Sequence, residues 1–291
     1  MVTTVLRFGV LVLQDAPFPT LVERWRRVEE LGFDQLFVAD HTGDYRDTPG
    51  GPWFDGWTVL AAMAAQTTSI RIGTLVTNPV LRPPAVLAKA AVTVDHLSDG
   101  RLELGIGTGI APFDHAATGT EPWSAGERFG RFAEYVEVVD GLLRGAGRPY
   151  SFAGHWYRSR EASTVPGPVQ RPRPPIIVAG QSPTVLRVAA ERADAWNTHG
   201  PFGAGLDEIV KITRSQTHQL DELCATAGRH PASLRRSLLL FAALDPWTSD
   251  VEPAAVIERF AEQAQVAEFV VFWPGDDRVG DLERLANVIR G

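Results

Sequence analysis

Residues 70–110 read IRIGTLVTNPVLRPPAVLAKAAVTVDHLSDGRLELGIGTGI. An apolar run comes first, then a turn carrying Pro79. A segment of helical period follows, with Val86, Ala90, Val94 and Leu97 on one side. A second apolar run then ends in a glycine-rich exit. The order is strand, helix, strand, closing on a loop whose glycines let a ligand approach the backbone. It points to a barrel that holds a phosphate-bearing group at the ends of its strands.

The same alternation runs outward in both directions. Leu6–Leu13 and Phe33–Ala39 are apolar runs of strand length, separated by a segment with Leu21, Trp25 and Val28 at helical spacing and stopped by Gly32. Asp55 is placed to cap a helix carrying Leu60, Met63 and Ala64. Ser124 and Glu127 form a capping-box pattern, followed by Phe129, Phe132, Val136, Val139 and Leu143 at the period of a buried face. Further strands are expected at Ile176–Ala179, Ala193–Asn197, Leu234–Leu244 and Glu268–Trp273, with helices at Pro183–Glu191, Gly205–Gly228, Val251–Gln265 and Val279–Ile289.

About eight strand–helix pairs in a chain of 291 residues predict an α/β fold, a closed (β/α)8 TIM barrel, as one domain over 1–291. An open doubly wound sheet shares the alternation, but the count favours closure. Gly145–Pro175 is too rich in Pro and Gly for a helix and too long for a plain connection. It is read as an insertion before the fifth strand.

Composition excludes several functions. The net charge of −7 and scattered arginines argue against nucleic acid as a partner. Arg26-Arg27 and Arg235-Arg236, the densest basic points, read as edges facing water. Cys224 is the only cysteine, so no internal disulfide or cysteine metal site is expected; it reads as a packing residue in a helix. His115, His155 and His199 lack metal-ligand spacing, so no metal is expected. His96, near a helix C-terminus, reads as structural. The first residues show neither a signal-peptide pattern nor a membrane span, which makes the cytoplasm the default location.

In a parallel barrel, ligands meet the C-terminal ends of the strands. That rule selects Asp40 and His41, Thr77 and Asn78, Gly107-Thr108-Gly109, and Gly180-Gln181-Ser182. Gly105 belongs to the same glycine cluster. Ser182 is a natural N-cap with Pro183 at the first helical position, and the free N–H groups of such an end attract an anion. Each glycine loop alone is equally a tight turn; two on adjacent strands make a phosphate site. His41 is the acid–base candidate, with Asp40 beside it to raise its basicity. Alone, either residue fits a structural role equally well.

The segments LGFDQLFVADH, TSIRIGTLVTNPVLRPPAVLAKAAVTVDHLSDGRLELGIGTG, PVQRPRPPIIVAGQSP and ERADAWNT resemble the luciferase-like monooxygenase superfamily, in particular its coenzyme F420-dependent branch. The resemblance spans nearly the whole chain. It implies a deazaflavin ring in the barrel mouth, supported by a bulge at a non-proline cis peptide aligned with Leu75–Val76. It implies that Asp40 and His41 face the ring, and that Leu75, Val76, Thr77, Asn78, Gly107, Thr108, Gly109, Gly180, Gln181 and Ser182 hold the cofactor. A homodimer is also implied. Sugar-phosphate dehydrogenases of this branch carry a glutamate after the GTG; this chain has Ile110, which weighs against sugar-phosphate oxidation.

The expected function is an oxidoreductase that moves a hydride between F420 and a small organic substrate, with Trp53, Phe54, Phe113 and Trp123 lining the substrate pocket. Two alternatives stand beside it. One is a monooxygenase using reduced FMN; the other is a non-catalytic protein that binds flavin or a partner.

Overall fold

The computed structural model describes residues 5–46, 51–248 and 252–290. Its core is a closed barrel of eight parallel strands. They are β1 (Arg7–Leu11), β2 (Gln35–Val38), β3 (Arg71–Thr77), β4 (Leu102–Ile106), β7 (Ile176–Ala179), β8 (Ala195–Thr198), β9 (Arg235–Leu239) and β10 (Glu268–Phe272). Around the barrel the strands run β1-β10-β9-β8-β7-β4-β3-β2. Helices α1 (Phe18–Glu30), α2 (Gly56–Gln66), α3 (Pro84–Leu97), α5 (Ala125–Gly145), α6 (Pro183–Arg192), α7 (Leu206–Thr226), α8 (Pro253–Ala264) and α9 (Val279–Arg290) connect them. None of the described helices is long and apolar enough to cross a membrane.

Apolar spacing accounts for most of the helix faces. Leu21, Trp25 and Val28 of α1 are fully buried, as are Leu60 and Met63 of α2. In α3 the buried face is rotated from expectation. Val86 and Leu97 are 53% and 51% exposed, while Leu87, Ala88, Ala91 and Val92 pack inward. A segment so rich in Ala and Val offers two apolar stripes, and tertiary packing selects one. The Ser124 hydroxyl accepts from the Glu127 N–H, but the Glu127 carboxylate turns to Arg131 at 2.8 Å, so only half of the capping box forms.

The segment expected as an insertion contains an antiparallel hairpin, β5 (Tyr150–Ala153) and β6 (Arg158–Ala162), outside the barrel. A short helix, α4 (Pro112–Thr118), interrupts the run from β4 to α5 and was not expected from the sequence. The seventh barrel strand is shorter than read: it stops at Leu239, and residues Ala242–Leu244 form a 3-10 turn.

The N-terminal end of the barrel is closed by charge. Glu103, 1% exposed, takes Arg71 at 2.6 Å, Arg7 at 3.2 Å and Arg235 at 3.4 Å, while Gln35 donates to it at 2.8 Å. Glu268 shares Arg7 and Arg235 at 2.7 and 2.8 Å. Burial opposes the charge on Glu103, and its three arginines overcome it, holding the carboxyl below its ordinary range. Burial and the nearby Glu103 push Glu268 up. Arg235 is thus engaged in ion pairs while still partly exposed, whereas Arg236 is buried and bonded to Asp221 and to the Pro231 carbonyl. This plug leaves the opposite mouth for chemistry.

Candidate active site

Strand register brings the two glycine turns together. Ile106 of β4 lies beside Val178 of β7, so Gly107-Thr108-Gly109 and Gly180-Gln181-Ser182 leave neighbouring strands at the same end. Gly109 adopts φ +74, and an added Cβ there would meet Val80 and the Asn78 side chain at 2.9 and 3.1 Å. Gly105 has a different task. A Cβ there would sit 2.0 Å from the Thr74 carbonyl, so it lets β3 and β4 pack and does not face a ligand.

The ends of β2 and β3 supply the titratable groups. The Leu75–Val76 peptide is cis, at the bond the family resemblance indicated, and the β3–β4 register shifts between Thr74 and Thr77. Asn78–Pro79 is not among the cis bonds of the described residues. Leu75 and Val76 line a cavity of about 220 Å³ in the barrel mouth, together with His41.

His41 does not lean on Asp40. Its Nδ1 lies 2.6 Å from Asp114 Oδ2, on α4. Asp114 is fully buried. It also accepts from Asn78 Nδ2 at 2.7 Å and from the Thr42 N–H and hydroxyl at 2.8 Å each. Burial disfavours its charge, but the bonds from His41 and Thr42 more than compensate, and the carboxyl is held below its ordinary range. The His41 ring packs against Tyr45 and Phe113, each at 5.5 Å between centroids, and Trp53 Nε1 donates to the His41 carbonyl at 2.8 Å. With Nδ1 directed at a carboxylate, Nε2 is the nitrogen left for a reaction.

Asp40 occupies a separate niche. Its Oδ2 accepts from Arg82 Nη1 at 2.5 Å and from the Asn78 N–H at 3.2 Å. Its Oδ1 is buried and finds no hydrogen-bond donor among the described residues. Burial dominates over the Arg82 charge and pushes the carboxyl up to about 6. Alternation on an extended backbone explains why Asp40 and His41 diverge: successive side chains leave opposite faces.

The remaining expected residues divide. Thr77 and Asn78 are spent on the scaffold: Thr77 Oγ1 bonds Thr74 and Trp57, and Asn78 bonds Asp114 and Val80. Ser182 caps α6 through the Val185 N–H at 3.3 Å, and Gln181 Nε2 donates to the Gly200 carbonyl at 2.7 Å. Of the four aromatic residues expected in the substrate pocket, none lines the cavity. Trp53 and Phe113 touch His41 from the flank. Phe54 lies out on the loop before α2, and Trp123 meets His115 edge-on and carries Arg131 over its ring beside Gly109. The aromatic lining is Tyr45, Phe202, Phe241 and Phe272, with His199 among them. Burial lowers the His199 imidazole, keeping it neutral.

Sequence reasoning missed Asp114 and Arg82. Asp114 had a readable signal in the Ala111-Pro112 helix start directly after the GTG exit. Arg82 had none, because its carboxylate lies 42 positions away in the chain.

Residues 1–281 match the family described as luciferase-like monooxygenase. An F420-dependent glucose-6-phosphate dehydrogenase of Intrasporangium calvum is 28% identical, covering 93% of this chain and 94% of its own. An F420-dependent hydroxymycolic acid dehydrogenase of Mycobacterium tuberculosis is 34% identical over 90% of this chain and 74% of its own length. Among solved structures, an F420-dependent secondary alcohol dehydrogenase superposes with a TM-score of 0.80 at 20% identity, covering 98% of both chains.

Proposed function

This chain belongs to the luciferase-like monooxygenase family, and we propose that it is an F420-dependent oxidoreductase in which His41 exchanges a proton with the substrate oxygen. The observation that carries the reading is the mouth itself. His41, anchored by Asp114, lines the same cavity as the Leu75–Val76 bulge, beside two glycine turns on adjacent strands.

The residues present fit a deazaflavin. Asp40 Oδ1, a buried acceptor with no donor among the described residues, lies behind the cavity wall beside Gly56 and is not assigned to the ring. Leu75 and Val76 offer an apolar seat. The turn at Gly107-Thr108-Gly109 and the N-terminus of α6 after Ser182 suit an anionic tail, because backbone N–H groups and the positive helix end favour negative charge. When bound, the deazaflavin supplies a carbon centre that accepts or gives a hydride.

The protein supplies the proton. In alcohol oxidation, His41 Nε2 takes the hydroxyl proton as hydride leaves the carbon; in carbonyl reduction it returns one. Asp114 holds the ring by Nδ1 and stabilises the imidazolium that forms. Ile110, where a glutamate would stand, is 70% exposed and carries no proton, so His41 acts without a second acid there.

The test is a fluorescence titration of the apo protein with F420 and with FMN side by side. Tighter F420 binding is expected; tighter FMN binding would move the assignment to a monooxygenase. His41→Ala is expected to lower F420-dependent turnover by about a hundredfold or more while leaving F420 binding within about threefold. Unchanged turnover would favour a protein that only binds the cofactor.

A further inference from the structure

Beside the cavity at His41 lies a second space of about 460 Å³. Leu11, Tyr45, Phe241 and Phe272 line both, so the two form one continuous groove leading outward from the barrel axis. Trp247 and Trp273 extend its wall. The Trp247 indole is fixed, with Nε1 donating to the Phe272 carbonyl at 2.7 Å. Phe241 stands 5.7 Å from both Phe202 and Phe272, and Phe202 is left 76% exposed at the rim. A large ring held on the surface beside a cavity is an unsatisfied apolar contact.

Charge gives the second constraint. Among the described residues, no Lys, Arg, Asp or Glu lines the inner cavity. The groove has three arginines, and each is already engaged. Arg24 bonds Asp15 and Asp276 at 2.8 Å each; Arg46 bonds Asp15 at 2.6 Å and Asp44 at 2.8 Å; Arg278 bonds Asp281 at 2.6 Å. Asp245 adds a further carboxylate to the lining, bonded to the Trp247 N–H at 3.0 Å. A phosphate entering here would have to break an ion pair, because each guanidinium on the groove is already matched by a carboxylate.

We infer that the substrate is an uncharged alcohol or ketone with an extended apolar arm, and not a phosphorylated sugar: its oxygen lies at His41 and its arm runs along Tyr45, Phe241 and Trp247. This rests on the oxidoreductase reading above and names its substrate class. The relatives called glucose-6-phosphate dehydrogenases are therefore expected to differ from this chain in substrate.

The experiment has two arms. In the first, the full chain without cofactor is titrated with 2-propanol, 2-octanol and glucose 6-phosphate, following tryptophan fluorescence, since Trp247 and Trp273 face the groove. In the second, kcat/KM is measured for the same three compounds with F420 present. About a hundredfold preference for 2-octanol over 2-propanol is expected in both arms, from the methylenes moved out of water, with no saturable response to glucose 6-phosphate. Trp247→Ala should reduce that preference about tenfold, and Trp247→Phe, which keeps an apolar wall, should retain most of it. A flat alcohol series in the binding arm, or glucose 6-phosphate bound more tightly than 2-octanol, overturns the inference. Failure of F420 to bind would strike the oxidoreductase reading alone, because the first arm needs no cofactor.

Discussion

Replacing Asp40 by Asn tests the electrostatics of the mouth through stability. Asp40 is 1% exposed and its carboxyl is pushed up to about 6, mainly by burial. An unfolded aspartate titrates near 3.9, so the folded state holds a proton over a window of about two pH units in which the unfolded chain does not. In that window stability falls as pH rises, by about 1.4 kcal/mol per unit. The folded pKa is raised for an acid, so the favourable side is low pH. The contribution is fully present below about pH 4 and is lost progressively, reaching about 3 kcal/mol above about pH 6. Between about pH 4.5 and pH 7 the loss specific to Asp40 is about 2 kcal/mol. Asp40→Asn removes this slope. The Arg82 attraction is already contained in that folded pKa, so the variant adds only the pH-independent offset of replacing a neutral carboxyl by an amide. The measurement is urea unfolding of both proteins at four pH values across that range, reading how their difference changes and not its absolute size. The variant should gain about 2 kcal/mol relative to the parent as pH rises across the window. A difference that stays constant would mean that Asp40 titrates normally, and that Arg82 fully offsets its burial.

Asp114→Asn is expected to act in the opposite sense. Its carboxyl is held low by His41 and Thr42 despite burial, so its stabilisation is present above the unfolded pKa and lost as pH falls through the depressed one. The parent should therefore be more stable than the variant at neutral pH, by about 2–4 kcal/mol, with the gap closing below about pH 4. F420-dependent turnover should fall at least about tenfold, because the amide no longer stabilises an imidazolium at His41. A gap that is unchanged in acid would contradict an ionised Asp114. Glu103→Gln leaves three arginines around a neutral group at the closed end of the barrel, and a loss of about 3–5 kcal/mol is expected in urea unfolding. Because this end is opposite the mouth, the F420 dissociation constant should stay within about twofold; a larger shift would show that the two ends are coupled.

The barrel was legible because its information is local and repeated. Each apolar run of strand length alternates with a segment of helical period, and it is the count of about eight such pairs, not the alternation itself, that favours the closed order of parallel strands. The positions of the glycine turns followed too, since strand order alone puts the exits of β4 and β7 side by side. Contacts between distant segments were not legible. The Asp114–His41 bond spans 73 positions, and α4, which carries Asp114, is too short to show a period. Aromatic residues in loops were hard to place for the same reason. Trp53 and Trp123 look like pocket walls in sequence, whereas Phe241 and Phe272 sit at the ends of strands or just beyond, where they could equally have been core. Gly105 shows the converse error, since a glycine in a ligand-like cluster served strand packing.

The two carboxylates illustrate how one end of the barrel can divide its work. Asp114 meets four donor contacts around its two oxygens, so ionisation is favoured even in a fully buried setting. Asp40 has Arg82 and one backbone N–H on one oxygen and nothing on the other, so burial prevails. Asn78 joins them, donating its side chain to Asp114 and its backbone to Asp40. A constantly charged carboxylate is suited to hold an imidazole through a proton cycle. One poised near neutral pH, with an unpartnered oxygen, is suited to respond when the neighbouring mouth is filled. On the proposed reading, cofactor binding beside this niche should therefore shift the Asp40 equilibrium, and binding should exchange less than one proton in total. Isothermal titration calorimetry in two buffers of different ionisation enthalpy measures that number at about pH 6. Proton exchange that persists in Asp40→Asn would assign it to another group.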